Sequence, residues 1–385
     1  MKLVCSQIEL NTALQLVSRA VATRPSHPVL ANVLLTADAG TGKLSLTGFD
    51  LNLGIQTSLS ASIESSGAIT VPSKLFGEII SKLSSESSIT LSTDDSSEQV
   101  NLKSKSGNYQ VRAMSADDFP DLPMVENGAF LKVNANSFAV SLKSTLFASS
   151  TDEAKQILTG VNLCFEGNSL KSAATDGHRL AVLDLQNVIA SETNPEINNL
   201  SEKLEVTLPS RSLRELERFL SGCKSDSEIS CFYDQGQFVF ISSGQIITTR
   251  TLDGNYPNYN QLIPDQFSNQ LVLDKKYFIA ALERIAVLAE QHNNVVKIST
   301  NKELQILNIS ADAQDLGSGS ESIPIKYDSE DIQIAFNSRY LLEGLKIIET
   351  NTILLKFNAP TTPAIFTPND ETNFVYLVMP VQIRS

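Results

Sequence analysis

Val71-Pro72-Ser73-Lys74-Leu75-Phe76 is the first of three copies of one motif, and the others are Leu208-Pro209-Ser210-Arg211-Ser212-Leu213 and Phe336-Asn337-Ser338-Arg339-Tyr340-Leu341. Each copy has an apolar residue, one spacer, Ser, a cation and then a helix-like run. The three serines are 137 and 128 residues apart in a chain of 385 residues. This spacing is close to one third of the chain, so it predicts three domain-sized repeats.

A second helical element precedes each copy of the motif. Its marker is a pair of apolar residues spaced i, i+4 in an amphipathic run, namely Leu10 and Leu14, Phe138 and Leu142, and Phe278 and Leu282. Two matched elements in three copies predict six helices, at 7–20, 73–83, 137–147, 210–220, 275–288 and 338–348.

The segments between the helices alternate apolar and polar residues, as in Lys43–Thr47, Ile229–Tyr233 and Ile353–Phe357, and short polar turns separate them. Strands joined by short turns pair antiparallel, because a parallel pair needs a long crossover. Each repeat is therefore expected to be an antiparallel sheet with two helices on one face, an α+β fold. We expect domains at 1–127, 128–265 and 266–385, and the polar stretch 191–201 is interpreted as a loop.

The charge is unevenly distributed along the chain. The net charge is −13, which argues against a simple nucleic-acid-binding protein. The six helical segments, however, contain twelve Lys or Arg and only six Asp or Glu. Lys and Arg are common in helices, but Glu is equally favoured there and is scarcer here. This pattern favours one face of the assembly that meets a polyanion through loose phosphate contacts.

Several familiar chemistries are not indicated. Gly40-Thr41-Gly42-Lys43 lacks the spacing of a phosphate-binding loop and is better interpreted as a hairpin turn. The three histidines are scattered and predict no metal site. The four cysteines have apolar neighbours and no C-x-x-C spacing, as is typical of reduced thiols in a cytosolic protein. No signal peptide and no apolar run near 18 residues are present, so no membrane association is expected.

One dense polar group, Asp176-Gly177-His178-Arg179, leaves two interpretations open. In a hydrolase, Asp176 could orient His178 as a general base. No activated nucleophile accompanies them, however, and Asp-Gly after a strand is typical of a turn. The turn is the favoured interpretation, with His178 and Arg179 serving structure or partner binding.

The segment Ala174-Thr175-Asp176-Gly177-His178-Arg179-Leu180-Ala181 resembles the hallmark segment of the bacterial DNA polymerase III beta subunit, the sliding clamp family. Three further segments agree with this resemblance, in order along the chain: Asp253–Tyr259, Phe336–Leu341 and the tail Tyr376–Val381. The resemblance covers the whole chain and all three repeats.

The resemblance implies a non-enzymatic processivity factor without cofactors or metals. Such clamps are head-to-tail homodimeric rings of six similar domains, with twelve helices around a hole and sheets outside. Double-stranded DNA threads the hole, so retention is topological and independent of sequence. The implied partners are the replicative polymerase subunit, an ATP-driven clamp loader and other proteins with a clamp-binding motif. The implied location is the bacterial cytoplasm, at the nucleoid.

The resemblance also implies a cleft between the second and third domains, where partners dock a short peptide with glutamine and leucine or phenylalanine anchors. The matching positions are Leu158, Thr175, His178, Arg179, Leu180, Pro257, Leu262, Pro360, Thr362, Leu377, Met379, Pro380 and Val381. Two features depart from some relatives and bear on peptide specificity: Gln261 stands where they carry a cation, and the tail continues through 382–385.

DNA and subunit contacts are implied in the same way. The expected DNA-proximal residues are Arg24, Lys74, Lys82, Arg211, Arg214, Lys275 and Arg339, together with the acidic loop Ser149–Glu153. At the ring joint, Tyr109 and Val111 are expected to meet Val287 and Leu288 of the partner copy. Two rival functions remain from the residues alone: the hydrolase that uses Asp176 and His178, and a three-repeat interaction scaffold that does not bind DNA.

Overall fold

Each copy of the repeated motif begins an α-helix, and its serine is the first helical residue. Pro72 and Pro209 precede two of these helices, where their φ angles of −57° and −56° match the angle that the proline ring imposes. Asn337 precedes the third helix and accepts hydrogen bonds from the N–H groups of Arg339 (2.9 Å) and Tyr340 (3.4 Å). All three serines are buried, so the repeated motif fixes where a strand ends against the core and a helix begins.

The six helices lie where the sequence predicts them. Short 3₁₀ turns, Ser18–Ala20 and Leu146–Ala148, extend the first and third, which accounts for their longer predicted ranges. The helices are α1 (Gln7–Val17), α2 (Ser73–Lys82), α3 (Ala135–Thr145), α4 (Ser210–Leu220), α5 (Lys275–Ala289) and α6 (Ser338–Ile347).

A computed structural model describes residues 1–85, 87–93, 98–125, 128–189, 203–224, 227–290, 293–313, 316–369 and 373–382. Within these ranges the strands are β1 (Lys2–Ser6), β2 (Asn32–Asp38), β3 (Lys43–Phe49), β4 (Leu53–Ser60), β5 (Ser62–Ser65), β6 (Gly67–Pro72), β7 (Ser88–Thr93), β8 (Gln99–Lys103), β9 (Asn108–Arg112), β10 (Ala129–Asn134), β11 (Gly160–Glu166), β12 (Ser169–Thr175), β13 (Arg179–Leu185), β14 (Leu204–Pro209), β15 (Glu228–Asp234), β16 (Gln237–Ser242), β17 (Gln245–Arg250), β18 (Asn269–Asp274), β19 (Val295–Asn301), β20 (Ile306–Asp312), β21 (Ser318–Pro324), β22 (Gln333–Asn337), β23 (Thr352–Phe357), β24 (Ala364–Pro368) and β25 (Phe374–Val378).

The first of two compact units, unit 1, consists of the described residues within 1–134 and 226–251. It contains a five-stranded sheet in the order β5-β1-β7-β8-β9 and an eight-stranded sheet in the order β10-β15-β16-β17-β4-β3-β2-β6. Helices α1 and α2 pack on each other, and α1 lies on β3 and β4. The core between helix and sheet is apolar, with Leu10, Leu14, Leu46 and Ile55 almost fully buried.

The second unit, unit 2, consists of the described residues within 135–191, 202–225 and 252–385. Its eight-stranded sheet has the order β14-β11-β12-β13-β25-β24-β23-β18, and its four-stranded sheet has the order β21-β20-β19-β22. Helix α3 packs on α4 and on β13, and α5 packs on α6, β20 and β21. The same arrangement of paired helices on antiparallel strands thus recurs, and the predicted α+β fold of repeated clamp domains is confirmed.

Each eight-stranded sheet joins strands from two successive predicted domains. In unit 1, β4 pairs with β17, the last strand of the second repeat. In unit 2, β13 pairs with β25, the last strand of the third repeat. The edges of neighbouring repeats therefore pair, which satisfies backbone groups that an isolated repeat would leave open.

The turn at Asp38–Gly42 joins β2 to β3 and has the predicted hairpin form. Asp38 accepts hydrogen bonds from the N–H of Gly40 (2.9 Å) and the hydroxyl of Thr41 (2.7 Å), and Gly42 has a φ of +64°. The Asp38 carboxylate thus accepts from the turn donors that a phosphate would otherwise need, as is typical of a hairpin turn and not of a phosphate-binding loop. The predicted loop 191–201, His292 and the tail residues 383–385 lie outside the described residues.

Candidate functional site

The strongest candidate site is built around the turn between β12 and β13. The carboxylate of Asp176 accepts hydrogen bonds from the backbone N–H groups of His178 (2.8 Å) and Arg179 (3.1 Å). The hydroxyl of Thr175 accepts from the N–H of Gly177 (3.1 Å) and donates to the carbonyl of Arg179 (2.6 Å). Gly177 has a φ of +93°, a conformation that L side chains rarely adopt. These four hydrogen bonds close the turn, and His178 is exposed at its surface.

Strand β25 lies beside this turn and supplies the other wall. The N–H of Met379 donates to the carbonyl of His178 (2.9 Å), just beyond the point where Leu180 pairs with Leu377. Side chains two apart on a strand share a face, so Leu377 and Met379 point the same way. Leu377 is buried and Met379 is 37% exposed, which makes one the floor and the other the rim of an apolar surface.

The floor is a cluster of apolar side chains on one face of the sheet. The N–H of Thr175 donates to the hydroxyl of Tyr256 (3.0 Å), which ties the segment between β17 and β18 to the turn. Burial raises the pKa of Tyr256, and the hydrogen bond from the Thr175 N–H lowers it by less. The net shift of the pKa is upward, so the hydroxyl is neutral at pH 7. The cluster consists of Ala173, Leu180, Val182, Tyr259, Ile365 and Leu377, with Tyr256, Ile263, Phe267 and Val375 packed against it.

Sequence reasoning missed several members of this floor. Ala173, Val182 and Val375 each lie two residues from a predicted cleft residue on the same strand. The period of two would have found them, because alternate residues of a strand share a face. The aromatic residues of the segment between β17 and β18 carry no such signal, since an irregular segment has no fixed periodicity.

The predicted cleft residues fall into three exposure classes. Thr175, Arg179, Leu180 and Leu377 are buried. Leu158, Thr362, Pro380 and Val381 are half-buried, and His178, Pro257, Leu262, Pro360 and Met379 are exposed. Backbone pairing brings together Thr175, His178, Arg179, Leu180, Leu377 and Met379. Leu158 lies in the 3₁₀ segment Glu153–Thr159, and Pro360 and Thr362 lie in the loop between β23 and β24, so their part in a cleft stays a prediction.

The hydrolase alternative depends on a contact between the Asp176 carboxylate and the His178 ring. The carboxylate instead accepts from the His178 backbone and, through its second oxygen, from Nε of Arg179 (3.1 Å). The imidazole stacks on Tyr340, with 6.2 Å between ring centroids and 17° between planes. Both carboxylate oxygens thus accept from donors other than the His178 ring, so this geometry does not favour the hydrolase.

Comparison with known proteins accounts for the whole chain. Residues 1–123, 132–258 and 260–382 match the N-terminal, central and C-terminal domain models of the DNA polymerase III beta subunit. The beta sliding clamp of Synechococcus elongatus is 51% identical over 385 residues, which is 100% of both chains. This chain belongs to the beta sliding clamp family. The predicted family is confirmed, and with it the function of a sliding clamp and processivity factor.

Solved clamps share the fold over the full length. The sliding clamp of Bacillus subtilis has a TM-score of 0.91 and 27% identity, with 100% of both chains covered. The sliding clamp of Bartonella birtlesii, solved bound to griselimycin, has a TM-score of 0.90 and 28% identity, again with 100% of both chains covered. The clamp fold of this chain therefore rests on sequence and structure alike.

The candidate DNA-facing cations of the clamp lie mainly at helix surfaces. In unit 1, Arg24, Lys74 and Lys82 are exposed, and in unit 2, so are Arg211, Arg214 and Arg339. Lys275 differs, because it is half-buried and its ammonium donates to the carbonyl of Ile348. That contact ties the start of α5 to the end of α6, so Lys275 has a structural task whether or not it meets DNA.

The acidic loop 149–153 is partly committed to local structure. Ser149 and Ser150 are buried, and the N–H of Ser150 donates to the carbonyl of Leu158 (2.8 Å). Asp152 accepts from the N–H of Ala154 (3.0 Å) and so begins the 3₁₀ segment Glu153–Thr159. A DNA contact by this loop stays a prediction.

The residues predicted at the ring joint differ in accessibility. Tyr109 on β9 is 38% exposed, whereas Val111 on the same strand is buried within unit 1. Val287 on α5 is 65% exposed, and Leu288 is half-buried. Tyr109 and Val287 therefore have apolar surface free for a partner, and Val111 could contribute only through its backbone.

Two classes of site are not seen in the part of the clamp that the structure describes. No group of three or more His, Cys, Asp or Glu side chains there is arranged to hold a metal ion. Among the same residues, none of the helices has both the length and the apolar character to cross a membrane.

Proposed function

We propose that two copies of this clamp close head to tail into a ring around duplex DNA. The ring slides along DNA and tethers the replicative polymerase subunit and other partners through the cleft near His178. A clamp loader opens it, and the clamp itself catalyses no reaction. The proposal includes domains at 1–127, 128–265 and 266–385 and a location in the cytoplasm, at the nucleoid.

One observation carries the proposal. Strands of successive repeats pair at two places, which we call joins, and the two strands needed for a third join are present but belong to opposite ends of the chain. The pairs β4–β17 and β13–β25 are the complete joins. The third repeat has the corresponding hairpin, β20–β21, and the first repeat has the corresponding last strand, β9. Both β21 and β9 are edge strands of their sheets. Pairing β21 of one copy with β9 of the next would complete the series, and two copies supply two such joins.

The complete joins also predict the register of the third. In each repeat a backbone N–H after the last strand donates to a carbonyl before a helix: Met114 to Thr70 (3.1 Å), Leu252 to Thr207 (2.8 Å) and Val381 to Ala335 (2.8 Å). Counting back five residues from the donors aligns Tyr109, Ile247 and Tyr376. Ile247 pairs with Ile55, and Tyr376 pairs with Ala181. Within the three hairpins, Ile55, Ala181 and Gly319 each pair with the residue four positions after an equivalent buried leucine. Gly319 is therefore the equivalent partner on β21, and Tyr109 is expected opposite Gly319 of the other copy.

This register places the Tyr109 ring over Gly319, beside apolar side chains of helix α5. A Cβ on Gly319 would lie 2.7 Å from Cδ1 of Leu288 and 3.4 Å from Cδ1 of Ile285, so the glycine leaves the α5 surface uncovered by a side chain. Tyr376, the equivalent residue of the third repeat, packs on helix α6, where a Cβ on Gly344 would lie 2.1 Å from its ring. A tyrosine of a last strand therefore already packs on a helix in this chain, and the half-buried Leu288 side chain beside Gly319 supports Leu288 as part of the joint.

The charge pattern supports DNA in the hole of the ring. Lys74, Arg211 and Arg339 occupy the same position in α2, α4 and α6, directly after the buried serine, and all three are exposed. The whole chain has a net charge of −13, which repels phosphate, so contacts concentrate on the helices, where cations outnumber acids. Phosphate contacts of this kind carry no sequence information and permit sliding.

The site chemistry supports an apolar peptide anchor. The floor around Leu180 and Leu377 is apolar, and the rim has exposed His178 and Met379. Apolar walls with a few polar groups are typical of ligand sites. A clamp of this fold has been solved with griselimycin bound, so the fold accommodates a ligand. We propose that partners insert leucine or phenylalanine here and that glutamine contacts the rim.

The proposed ring is tested by comparing how long the loaded protein stays on circular and on linear DNA. The protein is loaded on nicked circular plasmid by a clamp loader, separated by gel filtration, and then exposed to a restriction enzyme that linearises the plasmid. Retention on the circle and rapid loss after linearisation are expected. With loading verified, equal loss from both forms would contradict the ring and favour ordinary electrostatic binding or the DNA-free scaffold.

A further inference from the structure

Arg179 and Leu180 are consecutive strand residues and point to opposite faces of the sheet. Leu180 belongs to the cleft floor, so the Arg179 side chain is directed away from that floor. The Arg179 side chain is only 8% exposed. A peptide that sits on Leu180 would therefore find the guanidinium on the far side of the sheet.

The guanidinium is already occupied by groups of the chain itself. Its Nε donates to the Asp176 carboxylate (3.1 Å), and one terminal nitrogen donates to the carbonyl of Phe147 (2.8 Å). The other terminal nitrogen donates to the carboxylate of Glu343 on α6. Its carbon lies 4.5 Å from the ring centroid of Tyr340, also on α6. Arg179 thus connects the turn at 176–178 to helix α6.

The same helix also supports the exposed residue of the turn. The His178 ring stacks on Tyr340, so Tyr340 has the imidazole and the guanidinium as neighbours. If Arg179 holds Tyr340 and Asp176 in place, it fixes the position of His178 indirectly. The guanidinium resists reorientation, because breaking these bonds would leave a buried charge unpaired.

Unit 1 shows that the turn does not itself require an arginine. There Asp50 makes the same two backbone bonds, to the N–H groups of Asn52 (3.0 Å) and Leu53 (2.8 Å). Leu53 pairs with Thr249 as Arg179 pairs with Val378, so Leu53 is the equivalent of Arg179. Leu53 is buried and apolar. The buried cation is therefore an addition in unit 2, at the join that carries the apolar cleft.

We infer that Arg179 is a positioning residue, which fixes the 176–178 turn against α6 and does not itself contact the bound peptide. The inference rests on the proposed peptide cleft. It revises the role implied for Arg179 by family resemblance, where it counts as a cleft residue. Peptide affinity then depends on α6 residues, above all Glu343, that lie outside the cleft.

The test compares Arg179→Leu and Glu343→Gln with the wild-type clamp in two measurements. Arg179→Leu copies the residue that unit 1 uses, and Glu343 is 49% exposed, so Glu343→Gln disturbs packing little. The first measurement is the affinity of a fluorescein-labelled peptide with glutamine and leucine anchors, by fluorescence anisotropy at several salt concentrations. The second is the NMR signal of the His178 imidazole. The chain has three histidines, and His178→Asn assigns that signal.

We expect Arg179→Leu to weaken peptide binding about 10-fold and Glu343→Gln about 3-fold, with an unchanged salt dependence and with displaced His178 ring signals in both. Lys346→Gln is the matched control, because it removes an ion pair to Glu283 (2.7 Å) from the same helix. It should change neither measurement.

Two results would overturn the inference. In the first, Arg179→Leu weakens peptide binding and flattens its salt dependence but leaves the His178 signal unmoved, and Glu343→Gln has no effect. Such a combination would mean that Arg179 contacts the peptide directly. The other is unchanged affinity and unchanged His178 signals in both variants. A wild-type clamp that binds no peptide would refute the proposed cleft instead, and the His178 signals would still decide whether Arg179 positions the turn. If Arg179→Leu fails to fold, Glu343→Gln gives the same two measurements.

Discussion

Leu122 fills the space that a side chain at Gly54 would need. A Cβ built on Gly54 would lie 2.1 Å from Cδ1 of Leu122 and 2.7 Å from the methyl group of Thr248. Gly54 is on β4 where it pairs with Thr248 of β17, and the hydroxyl of Thr248 donates to the carbonyl of Pro123 (3.0 Å). The equivalent pair in unit 2 is Leu180 and Leu377, which form the floor of the candidate cleft. In both units the segment that follows the last strand packs on this join, through Leu122 at Gly54 in unit 1 and through Tyr256 and Tyr259 at the floor of the candidate cleft in unit 2.

This packing predicts that Gly54→Ala destabilises the clamp by about 1–3 kcal/mol, because Leu122 must move to admit one methyl group. Leu122→Ala alone should cost about 1–3 kcal/mol, less than for a fully buried leucine because Leu122 is half-buried. The double variant should be less destabilised than the sum, because the two changes share one space. Urea denaturation measures all three. Gly77→Ala on α2 is the control: nothing lies within 4 Å of its Cβ position, so it should be neutral or stabilising. Additive costs would argue against the contact.

At the proposed joint, Leu288→Asp should shift the clamp from dimer to monomer. A carboxylate would be buried against the apolar ring of Tyr109 without a partner. Multi-angle light scattering at several concentrations reads the mass directly. Leu304→Asp, at a residue 67% exposed outside the joint, should leave the dimer intact. A dimer unchanged in Leu288→Asp would refute the assigned joint.

At the cleft, Met379→Ala should weaken peptide binding about 10-fold and leave the dimer intact, since Met379 is rim surface and not core. Removal of Met379–Ser385 should abolish binding, because it also removes the bond from the Met379 N–H to His178 (2.9 Å). Fluorescence titration provides both values. Met124→Ala is a matched control, at a methionine in unit 1 that is 47% exposed. Full peptide affinity after the truncation would place the cleft elsewhere.

On DNA, exchanging Lys74, Arg211 and Arg339 for Gln should weaken unloaded binding and reduce the slope of log affinity against log salt. Loss of three phosphate contacts lowers that slope by about 3. Retention on circles after loading should persist, because topology and not charge holds the ring. A control that exchanges Lys43, Lys105 and Lys326, which lie outside the helices, should leave the slope unchanged. Equal slopes in both triple variants would remove these helices from the DNA contact.

The cysteines should differ in their reaction with a thiol reagent in the folded clamp. Burial raises the pKa of the Cys5 thiol to about 12, with Glu9 adding to the shift. It also raises the pKa of Cys164, Cys223 and Cys231, of which only Cys223 is half-buried instead of buried. Thiolates are the reactive form, so reaction should be slow at pH 8, begin at Cys223 and accelerate as pH rises. Rapid modification of Cys231 in the native clamp would contradict this core placement.

The repeat, the helices and the family follow from the amino-acid sequence alone. Period and spacing located the six α-helices of the described residues, because a buried apolar stripe must recur at helical intervals. The motif at Ser73, Ser210 and Ser338 marked the three starts, since the end of a strand and the beginning of a helix are local events. The segment Thr175–Leu180 indicated the site for the same reason: its turn is closed by bonds among near neighbours.

The pairing of strands from different repeats and the contacts of each buried side chain depend on the three-dimensional packing. The pairs β4–β17 and β13–β25 join residues more than 100 positions apart, and no local pattern encodes such a partner. Arg179 looked like a cleft residue in the sequence, yet the alternation of β13 turns it away from Leu180 and toward Glu343. Val111 is predicted at the ring joint, and its side chain is buried within unit 1, so only its backbone faces the edge of the sheet. Local periodicity fixes an element and its faces, whereas the neighbour on each face is set by how distant elements pack.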